Sequence, residues 1–468
     1  MAQRQGVAVV VLSRAASDWV KARGSELQAF ASHTIKSAYI ARRPGENSWY
    51  VSRKATAQEN ISMARVASTT QQSSRRKSAV NARTAATPPK TRQADYVKKG
   101  KKPLTTPVKR RKMALLLPGR DEELIIATTI KSALKAGQKL EDIYVVDDGS
   151  TDDTRKQALT MLPAGNVLSI PNGGKARAVM AGIAFFEIEK RYQWLHVADA
   201  DSIFGPDYFR LYRRKLNGKK YAVAVGFVQS LRGNWISRYR AFCYTYGQHI
   251  LRRFQSWMGM ISVFPGPITC FRTDIIKDLD FTAESLTEDF DLTLQVHRKQ
   301  LGGIKFIPEA VNYTQDPQTL RDFIKQTKRW QRGFFQGVVK HKIGLRPHKI
   351  DISIGYQLLE LLFYLIEIFV LIPYVVITTG RWTVIPVVLL SDFIAVCALA
   401  LFSVVAARRM SILFSLPYFY VLRWIELSIV VTAFVEVVIL HKFKTVRNGW
   451  ETKGRRYAID AKALKDTA

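Results

Sequence analysis

Between residues 113 and 340, short apolar runs of strand length alternate with stretches of helical period, and that alternation leaves few folds open. The run 113–118 (MALLLP) precedes a helical pattern from about Asp121, and 143–148 (IYVVDD) precedes one from about Asp152. The run 166–171 (NVLSIP) precedes one from Lys175, and 194–201 (WLHVADAD) comes next. Strands separated by helices of this length require right-handed crossovers. The pattern therefore predicts an α/β domain with a mainly parallel sheet covered on both faces. Ligands of such sheets bind at the carboxyl ends of the strands, and the acidic clusters of this sequence fall there or in adjoining loops.

The segments on either side differ in kind. Residues 1–112 carry 24 Lys/Arg against 5 Asp/Glu, a large part of the +33 net charge. From 68 to 112 the composition is Ser, Thr, Ala, Gln, Pro and basic residues with no apolar period, which predicts a disordered basic arm. The apolar run 6–12 is too short to span a bilayer, and residues 25–65 are expected to form a small ordered piece. So basic a chain seeks an anionic partner. The expected one is membrane lipid and phosphorylated substrate, not nucleic acid. Three scattered cysteines, Cys243, Cys270 and Cys397, suit neither a zinc site nor a disulfide framework and read as reduced thiols.

Residues 341–440 form the predicted membrane region. The stretches 352–378 and 384–407 are each long enough to cross a hydrocarbon core of about 30 Å. Glu360, Glu367 and Asp392 within them are expected to face protein or a polar path. The stretch 412–440 contains Pro417, Arg423 and Glu426, and basic residues flank both of its ends. Two crossings plus an interfacial or re-entrant segment keep all those basic residues on the cytoplasmic side, whereas three crossings do not.

Three acidic clusters carry the chemistry: Asp147-Asp148-Gly149-Ser150 and Asp199-Ala200-Asp201 at strand ends, and Thr287-Glu288-Asp289 opening a helical pattern. A lone Asp at a strand end is most often a turn or helix cap. An Asp-x-Asp pair beyond a buried strand is more telling, because it sets two hard oxygen donors where Mg²⁺ or Mn²⁺ can also take phosphate oxygens. Such an ion offsets charge developing on a diphosphate leaving group. Carboxylates at a helix start can equally be stabilised by the helix dipole alone, and for Glu288 and Asp291 that plain reading has equal weight.

In order, the chain presents Pro118-Gly119-Arg120-Asp121-Glu122, the DDGS segment, Asn172-Gly173-Gly174-Lys175, the Asp-x-Asp, Pro265-Gly266-Pro267 with Arg272, Thr-Glu-Asp, and Gln326-x-x-Arg329-Trp330. This succession resembles the family 2 glycosyltransferases of GT-A fold over residues 113–456. The closing Gln-x-x-Arg-Trp is similar to that of cellulose, chitin, hyaluronan and poly-N-acetylglucosamine synthases. The resemblance implies that Asp147 and Asp148 hold the uracil and ribose of a UDP-sugar, with loop 118–122, including Pro118 and Glu122, beside them. Lys175 would reach the diphosphate, Asp199 the sugar-nucleotide side, and Asp201, with Asp199, a Mg²⁺ or Mn²⁺ ion. Asp289 would be the general base of an inverting displacement. Gln326, Arg329 and Trp330, which share a helical face, would supply an acceptor platform at Trp330 and a diphosphate contact at Arg329.

Gly266-Pro267 resembles the loop of synthases using N-acetylglucosamine donors, so UDP-N-acetylglucosamine is the expected donor and UDP-glucose the alternative. In the tail, 441–468, Trp450 and Thr452 resemble a gate that closes over the nucleotide; the plain alternative is a basic juxtamembrane segment attracted to anionic lipid. The expected protein is thus a multi-pass enzyme of the plasma or inner membrane with a cytoplasmic catalytic domain, extending a β-linked polysaccharide. Two or three crossings are few for a polysaccharide path, so a homo-oligomer or an export partner would complete it, or the product stays short or lipid-linked. Two readings compete: a single-addition transferase acting on a lipid or protein, and a binding protein whose basic arm is the working part.

Overall fold

The computed structural model describes residues 111–442 apart from 217–219, 282–284 and 346, together with two short strands near the N-terminus. Those two, Tyr39–Ala41 and Tyr50–Ser52, pair antiparallel with Ile40 opposite Val51. The expectation of a disordered arm and the gate residues Trp450 and Thr452 otherwise lie outside the described residues.

The main sheet is built of eight strands: β1 (Arg111–Gly119), β2 (Ile143–Asp148), β3 (Val167–Ile170), β4 (Tyr192–Val197), β5 (Ile203–Phe204), β6 (Tyr221–Ser230), β7 (Thr269–Arg272) and β8 (Gly303–Thr314). Their order across the sheet is β3-β2-β1-β4-β7-β6-β8-β5. Only β7 and β5 run against the rest, so the sheet is mainly parallel as the alternation predicts. Successive side chains of a strand point to opposite faces. Leu115 and Leu117 accordingly enter one core with Ile126, Val145 and Phe209, while Leu116 enters the other with Val146, Ile183 and Leu195.

Helices α1 (Ile126–Lys135), α2 (Thr154–Leu159) and α3 (Lys175–Phe185) follow β1, β2 and β3. The first begins later than the sequence pattern implies. Asp121 takes a left-handed φ of 57°, and its carboxylate accepts bonds from the N–H and hydroxyl of Thr151, so the chain after β1 is tied to the loop after β2 before any helix can start. Beyond β6, α4 (Trp235–Tyr246) runs on through a π turn, Gly247–Arg252, into Arg253–Met258. Then come α5 (Glu288–Arg298) and α6 (Leu320–Lys340). Thr319 caps α6 by accepting from the N–H of Asp322 while its hydroxyl donates to the Asp322 carboxylate.

Two helices, α7 (Lys349–Thr379) and α8 (Val384–Ala407), are long and apolar enough to cross a membrane, and both are largely exposed. The last helix, α9 (Leu416–Phe434), has its polar residues taken up by neighbours. Arg423 meets Asp392 of α8 at 3.0 Å, and Glu426 accepts from the Tyr239 hydroxyl of α4 at 2.7 Å. Asp392 thus faces protein as expected, whereas Glu360 and Glu367 lie exposed on α7, a helix with few neighbours to receive them.

Candidate active site

The carboxyl ends of β1, β4 and β6, the N-terminus of α5 and one face of α6 enclose a cavity of about 840 Å³. At one end stand Lys175, Asp199 and Asp201; at the other, Gln357, Leu358 and Leu361 of α7 and Val430 of α9. The cavity is therefore lined by the sheet edge and also by side chains of α7 and α9.

Lys175 is the hub of the polar end. Its ammonium lies 2.5 Å from an Asp199 oxygen and 3.4 Å from Glu288. Burial alone would lower its pKa; Asp199 and Glu288 outweigh that and hold it above the ordinary lysine value. Lys175 owes its place to the loop before it. The fully buried Asp148 accepts from the N–H groups of Gly173 and Gly174, both at 2.8 Å, and so fixes the turn that starts α3. Burial is the largest influence on Asp148 and raises its pKa despite those two bonds.

Asp289 sits in the first turn of α5. One carboxylate oxygen accepts from the N–H of Gly266 at 3.2 Å and the other from that of Phe290 at 2.8 Å. Burial, reinforced by the charge of Glu288, pushes its pKa up to about 6, with Lys175 and the two N–H groups opposing. A Cβ at Gly266 would come within 2.7 Å of the Lys175 ammonium and would push that flexible side chain aside. A carboxylate poised near neutrality beside a buried cation has the character of a general base.

The cluster around Thr-Glu-Asp resolves by direction. Glu288 faces the cavity, while Asp291, 3% exposed, turns to His341 at 2.7 Å and Lys340 at 2.9 Å. Burial raises its pKa, but those partners prevail and hold it at about 2. Asp291 thus ties α5 to the end of α6.

On α6, Gln326, Arg329 and Trp330 all line the cavity. The Gln326 Oε1 is buried without a hydrogen-bond partner, and Arg329 donates to the carbonyl of Leu286 at 3.2 Å. Trp330 is backed by the Arg240 guanidinium, 4.7 Å from its ring centroid, which also donates to Thr327 at 3.0 Å.

Of the other expected residues, Glu122, Gly266 and Glu288 line the cavity, and Pro118, Asp147 and Asp148 do not. Asp147 accepts from Ser150 N and from the Ser169 hydroxyl, both at 3.0 Å. Arg252, which no sequence motif marks, also lines the cavity. Its Nη1 is buried without a hydrogen-bond partner; burial lowers its pKa to about 10, while Asp289 pulls the other way. Its place depends on the π turn, which shifts the register of α4 and which apolar periodicity does not reveal.

The oxygen donors fit a divalent cation that arrives with its substrate. Asp199 and Asp201 both line the cavity, and among the described residues no group of three or more His, Cys, Asp or Glu forms a metal cage. Mg²⁺-type ions are commonly held by one or two carboxylates, with substrate phosphates and water completing the shell.

The family model described as "Glycosyl transferase family group 2" matches residues 194–435. Poly-beta-1,6-N-acetyl-D-glucosamine synthase from Staphylococcus epidermidis is 24% identical over 227 residues, covering 47% of this chain and 54% of that protein. The Staphylococcus aureus protein of the same name matches with the same identity and coverage. The chain spans about half the length of these relatives. Solved structures with similar coordinates include a mannosyltransferase from Pyrobaculum calidifontis in complex with GDP-Man and Mn²⁺ (TM-score 0.40, 13% identity, 74% of this chain and 89% of that one). Another is S. aureus TarS in complex with UDP-GlcNAc (TM-score 0.35, 15% identity, 49% and 67%).

Proposed function

The chain belongs to glycosyl transferase family group 2, and we propose that it is a membrane-anchored inverting enzyme that moves a sugar from a UDP-sugar onto a growing β-linked polysaccharide. The observation that carries this reading is Asp289. It lies in a cavity that has the Lys175–Asp199–Asp201 group at one end and apolar helical side chains at the other.

In this reading the diphosphate of the donor lies against Lys175, whose fixed positive charge favours the departing UDP. A divalent cation held by Asp199 and Asp201 would neutralise part of the same charge. The acceptor sugar stacks on Trp330, with Gln326 Oε1 accepting from one of its hydroxyls. Asp289 takes the proton of the attacking hydroxyl, whose oxygen forms the new bond to the anomeric carbon as the bond to UDP breaks. Attack from the opposite face inverts that carbon, giving a β-linked product from an α-linked donor. The Staphylococcus relatives support N-acetylglucosamine as the sugar. The length and exposure of α7 and α8 support membrane anchoring, and the basic residues flanking 412–440 support a cytoplasmic catalytic side.

Purified full-length protein in nanodiscs, given Mg²⁺ or Mn²⁺ and each common UDP-sugar in turn, tests the reading through UDP release and product size. Release from one donor with a high-molecular-weight product is expected, and Asp289→Asn should lower turnover by about 10²–10⁴-fold, the range for loss of a general base. A small or lipid-soluble product would replace the polymer reading with single addition, which the Leu358–Leu361–Val430 end of the cavity also accommodates. Turnover undiminished in Asp289→Asn would remove the proposed base.

A further inference from the structure

A second pocket, of about 300 Å³, lies at the junction of the sheet with the end of α8. Arg232, Arg408 and Arg409 line it together with Ser230, His249 and Tyr313, and no Asp or Glu does. Ala406 and Ala407, the last residues of α8, also contribute, so the pocket sits where that helix would leave the bilayer. It shares no lining residue with the catalytic cavity. The two are divided by β6 and the π turn: Gln248 and Arg252 face the cavity, and His249 faces this pocket.

Three arginines line one hollow, and two features indicate that it is built for an anion. Arg409 is 7% exposed and is fixed from behind, donating to the Ser230 carbonyl at 2.9 Å and to the Ser411 hydroxyl at 3.1 Å. Ser230 is 1% exposed, and its hydroxyl has no hydrogen-bond partner. The electrostatics agree. Burial and the neighbouring Arg232 and Arg238 lower the Arg409 pKa to about 10, with Asp316 and Tyr313 offsetting only part. The planar forks of arginine match the oxygens of a phosphate. A volume this small suits a phosphate with a short polar group better than a nucleotide sugar.

We propose that this pocket, lined by Arg232, Arg408, Arg409 and Ser230, binds a phosphate-bearing anion, either the headgroup of an anionic lipid or a free phosphate ester. The lipid source rests on the reading of α8 as a membrane span. Basic residues at the end of such a span meet anionic headgroups directly.

The test uses the full chain extracted from membranes containing phosphatidylglycerol and phosphatidylcholine, with bound lipid measured by native mass spectrometry. Arg409→Ala removes the bond to Ser230 and could unfold the junction, so the decisive variant is Arg232→Gln/Arg408→Gln, which changes two exposed side chains. Wild type should retain phosphatidylglycerol in preference to phosphatidylcholine. The double variant should retain at least roughly tenfold less, as expected for loss of charge-assisted bonds.

Inorganic phosphate added to detergent-purified protein separates the two sources. If it raises the melting temperature of wild type but not of the double variant, the pocket takes free phosphate as well. If it does neither while lipid is retained, the headgroup is the ligand. Equal retention of phosphatidylglycerol by wild type and double variant, or binding of neither probe, overturns the proposal. Alkaline extraction of the same membranes tests the span apart from the pocket, so a protein that stays in the membrane without holding anionic lipid counts against the pocket alone.

Discussion

Asp289 is where sequence, burial and charge act on a single atom. A carboxylic acid in water is ionised throughout the physiological range; burial and Glu288 shift this one until it titrates near 6. Only the ionised form can accept the acceptor's proton. The dependence therefore has a definite sign: kcat/KM should be flat above the shifted pKa and fall tenfold per pH unit below it. A pH series of initial UDP-release rates at low donor concentration checks this, and a profile flat down to the ordinary aspartate range would show that Asp289 is not the base. Arg252 belongs to the same balance, because it lines the same cavity, feels the charge of Asp289 and has a hydrogen-bonding group to spare. Arg252→Gln should lower kcat/KM by about tenfold or more, the worth of one charge-assisted bond. It should also move the acid limb to higher pH, since a cation that favours the carboxylate has gone. A loss of rate with an unmoved limb would place Arg252 on the substrate rather than on the base.

Among the elements, α6 decides whether Gln326, Arg329 and Trp330 meet Asp289 at all. It approaches α5 through two glycines four residues apart: a Cβ at Gly333 would overlap the Thr287 side chain, and one at Gly337 would stand 2.5 Å from the Phe290 ring. Both glycines are in the helix and neither has positive φ, so they serve close approach, not a turn. Gly333→Ala should cost about 1–3 kcal/mol of stability, as overpacking does. It should lower kcat more than a surface alanine in α6, because the displaced Thr287 adjoins Glu288 and Asp289. Thermal melting and UDP release on the same preparation separate the two effects, and an alanine variant with unchanged rate would show that the two helices tolerate a shift. This level was partly legible beforehand. The period of apolar residues located β1 to β4 and α3, and the spacing of Gln326, Arg329 and Trp330 put them on one face. The returns β5 and β7 and the π turn were not legible, because a strand of two or four residues has no period to read and a π turn breaks the one it interrupts. Asp148 illustrates the difference in kind: sequence marks it as acidic and terminal to a strand, and only the fold shows both its oxygens engaged by Gly173 and Gly174.

At the scale of the molecule, the residues described around the cavity fall within one continuous part of the chain. Among the described residues, all that line the cavity lie between Glu122 and Val430. Polar residues of the C-terminal helices pair across the junction: Glu426 of α9 reaches Tyr239, and Glu436 meets Lys328 and Arg332 of α6 at 3.0 and 2.8 Å. The Trp330 ring is thereby braced, through Arg240, by the same helix that adjoins α8. None of the residues that the sequence motifs mark for the site falls in the basic segment 1–110. Attraction between a basic segment of this kind and anionic lipid is screened by salt. Deleting the segment should leave UDP release in nanodiscs unchanged while weakening capture on anionic vesicles, and the remaining capture should depend less steeply on ionic strength. Co-sedimentation across a salt series, run beside the turnover assay, measures both. A truncated chain that melts cooperatively but no longer turns over would make the arm part of the catalytic machinery, because a segment that only recruits the enzyme cannot alter the rate of molecules already embedded beside their substrate.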